Sequence, residues 1–198
     1  MINKIFLDVG AHTGETLAIA LEEKYAFDKI YCFEPVKECC DVIRGLDDKR
    51  VEVCEYGLWN KNSAEKIYNA KTKGASLFRD KFRTEVPSRD IKLVKASEWF
   101  NQNLTIEDTI YLKLNCEGAE CAILDDLIDS GEYKKIDVLM VDFDVRKIPS
   151  QKHLMGEMKA KLNKIGLPKI FYIDEYNLGR GTHNYFTHFW LDSSQEIK

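Results

Sequence analysis

Phe6-Leu7-Asp8-Val9-Gly10-Ala11-His12-Thr13-Gly14 is the stretch on which the reading of this chain turns. The apolar run from Ile5 to Val9 ends on a glycine, the pattern of a strand buried on both faces that feeds a tight turn. Beyond the turn, Leu17, Ala18, Leu21 and Tyr25 recur at helical spacing, with Thr13 placed to cap that helix. Strand, glycine-rich turn and helix together open a right-handed βαβ unit.

Outward from this stretch the pattern repeats. Ile30-Tyr31-Cys32-Phe33 reads as a second strand that stops at Glu34-Pro35, and a helix over roughly 36–46 follows. Residues 51–56 form a third strand pattern. Apolar runs at 110–114 and 138–141 read as two more strands, each followed by a helical stripe. One stripe is Ala119, Ile123, Leu127 and Ile128, ending at Gly131. The other is Leu154, Met155, Met158 and Leu162, with Ser150 as its expected cap and Gly166 and Pro168 as its stop. Between 57 and 98 the signal is weaker. Ile67-Tyr68 and Lys92-Leu93-Val94 read as short strands, and the polar interval from Lys71 to Ser88 as a connection or a flap over a site. Two closing runs, 169–173 and 185–191, read as an antiparallel hairpin at one edge, joined by a link holding Gly179, Arg180, Gly181 and His183. Strands alternating with helices predict a doubly wound, mainly parallel α/β sheet in a single domain over 1–198.

Composition narrows the function. The 198 residues carry 29 Lys plus Arg against 33 Asp plus Glu, a net charge of −4, which opposes a general nucleic-acid surface. With 44% hydrophobic residues and 4 prolines the chain is globular, and no run approaches the roughly 18 apolar residues of a membrane span. The first residues run straight into a strand with no leader pattern. The six cysteines, at 32, 39, 40, 54, 116 and 121, form no C-x-x-C pair and have no histidine at ligand spacing. Free packing thiols in a reducing cytoplasm are expected, with neither nucleic acid nor membrane as partner. Nothing in the pattern sets an oligomeric state.

In open α/β sheets a ligand sits outside the carboxyl ends of the strands, where strand order reverses. That rule brings the loop from Asp8 to Gly14 together with Glu34. Gly10 allows a sharp turn and close approach to the backbone. Gly14 starts a helix whose free N–H groups can face a carboxylate or phosphate. Glu34, 20 residues beyond Gly14, stands where an acid accepts from both hydroxyls of a ribose. A nucleoside-containing ligand is expected; the plainer alternative is a tight turn beside a surface glutamate. The spacing is D-x-G-x-x-x-G rather than the G-x-G-x-x-G of NAD folds, with His12 where the middle glycine would lie. A side chain there crowds a pyrophosphate but not the carboxylate of S-adenosylmethionine, and Asp8 suits that ligand's ammonium group. The expected cofactor residues are Asp8, Gly10, Ala11, His12, Thr13, Gly14, Glu34 and Asn115.

Three blocks now carry a resemblance: residues 6–14, Phe33-Glu34-Pro35, and Lys113-Leu114-Asn115-Cys116-Glu117-Gly118-Ala119-Glu120. In order and spacing they resemble the signatures of the FkbM family of S-adenosylmethionine-dependent methyltransferases, over roughly residues 4–145. The resemblance implies a Rossmann-like class I methyltransferase fold, with a seven-stranded sheet whose last strand is antiparallel. It also implies O-methylation of a sugar, glycan or polyketide-like acceptor. The sequence departs from the family where His12 replaces its usual Asn, and where Asn115 and Cys116 replace the Asp and Val of Lys-x-Asp-Val-Glu-Gly. Losing that charge argues against a metal requirement, so no metal is expected.

Removing the acceptor's proton calls for a positioned base. The expected catalytic residues are Glu117, Asp144 and Asn115, the last orienting cofactor or acceptor. Asp142 is expected on the same strand face as Asp144 by the period of two, and Lys113, His183 and His188 are weaker candidates. Trp59, Trp99 and Trp190 read as core. Two rival functions stand beside this one: an NAD-type oxidoreductase, and a cofactor-binding module of the same fold without catalysis.

Overall fold

The computed structural model describes residues 2–70, 72–175 and 183–195. In chain order its main elements are β1 (Lys4–Val9), α1 (Glu15–Ala20), β2 (Lys29–Phe33), α2 (Lys37–Arg44), β3 (Val51–Cys54), β4 (Gly57–Trp59), β5 (Ser63–Tyr68), β6 (Ser88–Lys95), α3 (Ala96–Asn103), β7 (Thr109–Leu114), α4 (Glu120–Ser130), β8 (Ile136–Val141), α5 (Leu154–Ile165), β9 (Lys169–Tyr172) and α6 (His183–Asp192). Six strands form one parallel sheet in the order β3-β2-β1-β7-β8-β9. This is a doubly wound Rossmann-like sheet, and its order reverses between β1 and β7.

The apolar runs explain the layering. Along β1, Leu7 and Val9 enter one core with Leu112, Leu114, Leu139 and Ile123, while Phe6 enters the opposite core with Ile30, Tyr111, Val138 and Trp190. Alternation by two sends neighbours to opposite faces, so a strand covered on both sides is apolar nearly throughout, Asp8 being the paired exception in β1. Helices α4 and α5 end on Gly131 and Gly166, both left-handed, as their sequence punctuation predicts. The starts differ from expectation. Gly14, not Thr13, stands at the head of α1, and the Thr13 hydroxyl lies 3.2 Å from His12 Nδ1. Helix α5 begins after His153, and the Ser150 N–H donates instead to Asp80.

The edge differs most. The sheet has six strands rather than seven, and there is no antiparallel hairpin among the described residues. β9 runs parallel to β8, with Lys169 opposite Val138, and 185–191 lies inside α6. That segment alternates as Tyr185, Thr187, Phe189, Leu191, which mimics a strand. Yet the residues it buries are Phe186, Thr187, Trp190 and Leu191, a helical stripe that covers β1 and β7. Gly179, Arg180 and Gly181 lie outside the described residues.

Between β3 and β7 the chain builds a second sheet in the order β4-β6-β5, with β4 parallel and β5 antiparallel to β6. It holds the short strands expected at 67–68 and 92–94. Its apolar side, Ile67, Ile91 and Leu93, packs on Val36 and Cys39 from the β2–α2 connection. The small sheet thus stands over the carboxyl end of β2.

Candidate functional site

The carboxyl ends of β1, β2 and β7 open into a cleft of about 700 Å³, closed on its far side by the small sheet and residues 72–77. Two loops form its floor.

The first follows β1. Gly10 has φ +80°, and a Cβ there would fall 2.1 Å from the Asn115 carbonyl oxygen. What approaches this glycine is the loop after β7, so its smallness joins the two loops rather than clearing room for a ligand. The Gly10 and Ala11 N–H groups donate to the Phe33 carbonyl at 3.0 and 3.2 Å. Below them Lys113 Nζ reaches Asp8 Oδ1 at 2.7 Å and the Gly10 carbonyl at 2.8 Å. Asp8 is fully buried and off the cleft wall. Through Lys113 it holds the loop, and its Oδ2 is buried without a hydrogen-bond partner.

His12 turns left-handed at φ +49°. Its N–H donates to Glu34 Oε2 at 2.9 Å, and the Val36 N–H donates to Glu34 Oε1 at the same distance. Glu34 is 7% exposed and lines the cleft. Burial pushes its carboxyl up in pKa, and the two N–H bonds pull against that shift. Each oxygen carries one N–H and keeps acceptor capacity for a ligand hydroxyl. The His12 ring also lines the cleft; its Nδ1 lies 3.4 Å from Glu15, and its Nε2 is buried without a partner. Ala11, Thr13 and Gly14 stand behind this wall. Helix α1 is six residues long with Glu15 in its first turn, so the anion seat expected at Gly14 already faces a carboxylate.

The second loop follows β7. Asn115, Cys116, Glu117 and Ala119 line the cleft. Glu117 and Gly118 have φ +56° and +119°. The fully buried Glu120 carboxylate accepts the Cys116 N–H at 3.0 Å and the Gly118 N–H at 3.1 Å. Burial, and then Asp144, push its pKa up to about 8. The Glu-Gly-Ala-Glu block is therefore a folded unit in which the last glutamate ties the loop. Sequence reasoning gave Glu120 no such role; the only hint is an acid directly after a glycine turn and at a helix start.

Glu117 and Asp144 come together, but not as equals. The Glu117 carboxylate pairs with Lys81, lies 4.0 Å from Lys147, and faces the cleft, while its carbonyl accepts the Ser76 hydroxyl at 2.6 Å. Asp144 is buried behind this wall, 2.6 Å from Lys147 and 3.2 Å from Arg146. Burial, then Glu117, raise its pKa to about 6. Asp142 pairs with Arg146 at 2.6 Å. Neither aspartate lies on the strand: β8 ends at Val141 and Asp144 opens a short 3-10 turn, so the period-of-two argument fails there. Lys113 is committed to Asp8, His188 bonds Tyr25 at 3.1 Å away from the cleft, and the side chain of His183 lies outside the described residues. Trp99 and Trp190 are core, as expected.

Sequence reasoning missed the far wall: Ile67, Ile91 and Leu93 of the small sheet, Cys39 of α2, and Thr72, Lys73, Ser76 and Leu77. Of the polar interval, residues 72–77 act as a flap in the sense that they line the cleft. Among the described residues no group of three His, Cys, Asp or Glu is disposed to hold a metal ion, and no helix is long and apolar enough to cross a membrane. The six cysteines are free; five pack inside, and Cys116 is half-buried on the cleft wall.

No protein-family model and no curated protein matches the chain in sequence. Among solved structures it is similar to the crystal structure of methyltransferase FkbM from Methylobacillus flagellatus KT, with a TM-score of 0.47 and 14% identity over 84% of this chain. The match covers 38% of that protein, so the chain spans well under half its length.

Proposed function

We propose that this chain is an S-adenosylmethionine-dependent methyltransferase acting on a hydroxyl of a sugar, glycan or related natural product in a reducing, cytoplasmic setting. The observation that carries the reading is Glu34: a buried carboxylate at the end of β2, beside the strand-order reversal, anchored by two backbone N–H groups and open to the cleft. An acid fixed in this way suits a ribose diol, because each of its oxygens can take one hydroxyl. The His12 side chain on the wall supports an adenosyl ligand over NAD, since a pyrophosphate needs the bare backbone of a glycine there. The unpartnered His12 Nε2 offers a hydrogen bond to the ligand's amino-acid end.

When bound, S-adenosylmethionine supplies a methyl group on a sulfonium that an oxygen nucleophile displaces in line. The chain's own residues supply position and a place for the proton. Glu117 is the carboxylate on the wall, and it receives the proton of the acceptor hydroxyl at a carboxylate oxygen. Lys81 pairs with it and holds it in place. Asp144, behind it, sets its electrostatic surroundings without touching the acceptor. Asn115 turns a neutral amide toward cofactor or acceptor, and no step requires a metal ion.

The test is a mass-spectrometric screen of sugars and glycosides for the gain of one methyl, run with wild type and Glu117→Gln. Methylation by wild type that falls at least a hundredfold in Glu117→Gln supports both the activity and the base. Methylation equal in both proteins removes Glu117 from the mechanism.

A further inference from the structure

The segment over the cleft is held unequally at its two ends. From Ser76 to Lys81 it is fastened to the second loop. The Ser76 hydroxyl donates to the Glu117 carbonyl, Lys81 pairs with the Glu117 carboxylate in a nearly buried position, and Phe78 packs against the place where a Gly118 Cβ would be. Asp80 adds a bond from the Ser150 N–H at 2.8 Å. From Thr72 to Ala75 the hold is slight. Nothing lies within 4 Å of where a Gly74 Cβ would be, although the Gly74 carbonyl accepts Lys81 Nζ at 3.1 Å and Ala75 packs on the apolar side of the small sheet. Among the described residues, this segment's tie across the mouth is Lys73 Nζ to Glu15 Oε1 at 3.0 Å, with Lys73 76% exposed.

The Lys73–Glu15 pair has a particular place. Lys73 lines the cleft from the flap side. Glu15 belongs to α1 on the opposite side, 3.4 Å from the His12 ring, which is itself on the cleft wall. The pair therefore spans the mouth between the flap and the first loop. Partial burial raises the Glu15 carboxyl, but the Lys73 bond, the backbone N–H and the nearby charges together bring it down to about 2.

We propose that residues 72–75 are a gate over the cleft, hinged at Gly74 and Ser76 and latched across the mouth by Lys73 and Glu15, through which the ligand of the cleft enters and leaves. The identity of that ligand rests on the adenosyl reading above; the gate itself does not. An exposed ion pair contributes little to stability, typically about 0–1 kcal/mol, and this suits a contact that must open on every passage. The clamped half keeps Glu117 in place while the outer half moves, exchanging the single Lys81 bond at the Gly74 carbonyl for water.

The test is a charge swap. Lys73→Glu sets two carboxylates facing each other, and Lys73→Glu combined with Glu15→Lys restores opposite charges. Surface plasmon resonance with S-adenosylhomocysteine at low salt should show dissociation about three- to fivefold faster in Lys73→Glu, and within twofold of wild type in the double variant. The difference should shrink at high salt, because exposed charges are screened. Hydrogen exchange of the free proteins is the companion measurement. Lys73→Glu should speed exchange at 72–75, leave 76–82 unchanged, and be reversed by the swap. If S-adenosylhomocysteine does not bind wild type, the adenosyl reading falls and exchange alone judges the gate. Dissociation rates within twofold in all three proteins, or exchange at 72–75 indifferent to the swap, would overturn it.

Discussion

The loops after β1 and after β7 are built alike and serve differently. Each turns through left-handed residues, Gly10, His12 and Gly14 in one, Glu117 and Gly118 in the other. Each is tied by a glutamate that accepts backbone N–H groups, Glu34 from His12 and Val36, Glu120 from Cys116 and Gly118. Glu34 opens on the cleft, whereas Glu120 is sealed, and its pKa near 8 keeps it mostly protonated at neutral pH. A glutamate near a glycine turn can thus be a ligand seat or an internal brace, and the solvent face decides which.

The sharpest way to break the first loop is from below. Lys113→Met leaves Asp8 buried without its partner and should cost about 3–5 kcal/mol. Adding Asp8→Asn should recover most of that loss in urea unfolding. A loss under about 1 kcal/mol would mean that water reaches the pair.

Glycine substitutions separate backbone strain from crowding. Gly10 and Gly131 share φ +80°, but only Gly10 faces a neighbour, the Asn115 carbonyl; nothing lies within 4 Å of a Gly131 Cβ. Gly131→Ala should cost about 1–2 kcal/mol for the left-handed backbone alone. Gly10→Ala should add a further ~1–3 kcal/mol of overpacking as the two loops are forced apart. Equal losses would show that the loops separate freely.

The second loop carries a pH signature. Glu120 holds its proton up to about 8 when folded, against an ordinary value of 4.5. Between these values the folded state binds more protons than the unfolded one, so the contribution is full below about 4.5 and is lost as pH rises toward 8. The slope is at most about 1.4 kcal/mol per pH unit. Glu120→Gln, which keeps an acceptor for the two N–H groups, should flatten the fall without large destabilisation at pH 7. Glu120→Ala leaves both N–H groups bare, at about 1–3 kcal/mol each. An unchanged pH profile in Glu120→Gln would assign the dependence to another group.

Glu34→Gln is the smallest perturbation of stability, because one oxygen still accepts and the abandoned N–H can meet water in the cleft. Its melting temperature should stay within a few degrees of wild type. A collapse in stability would make Glu34 a brace like Glu120 and dissolve the contrast.

How far the chain was legible follows from the range of each signal. The parallel strands could be read because a strand covered on both faces is apolar at nearly every position, the Asp8–Lys113 pair being the exception in β1 and β7, and helix ends because a left-handed stop favours glycine. Residues 185–191 were misread because Tyr185, Thr187, Phe189 and Leu191 alternate while the buried set is helical; two periods coexist in so short a run. Glu34 was placed by its distance from the glycine turn. The bracing role of Asp8 was not legible, because its partner, Lys113, is 105 residues away and becomes its neighbour only when β1 pairs with β7. The far wall went unseen for the same reason: a half-covered sheet and a polar flap leave no local pattern, and their role exists only once folded over β2.

The central claim is that an adenosyl ligand sits on Glu34, and isothermal titration calorimetry tests it directly. S-adenosylhomocysteine should bind wild type more tightly than NAD, and Glu34→Ala should lose roughly tenfold or more in affinity, the equivalent of about 1.4 kcal/mol, in a protein that still melts cooperatively. Tighter binding of NAD, or an unchanged affinity in a folded Glu34→Ala, would contradict it.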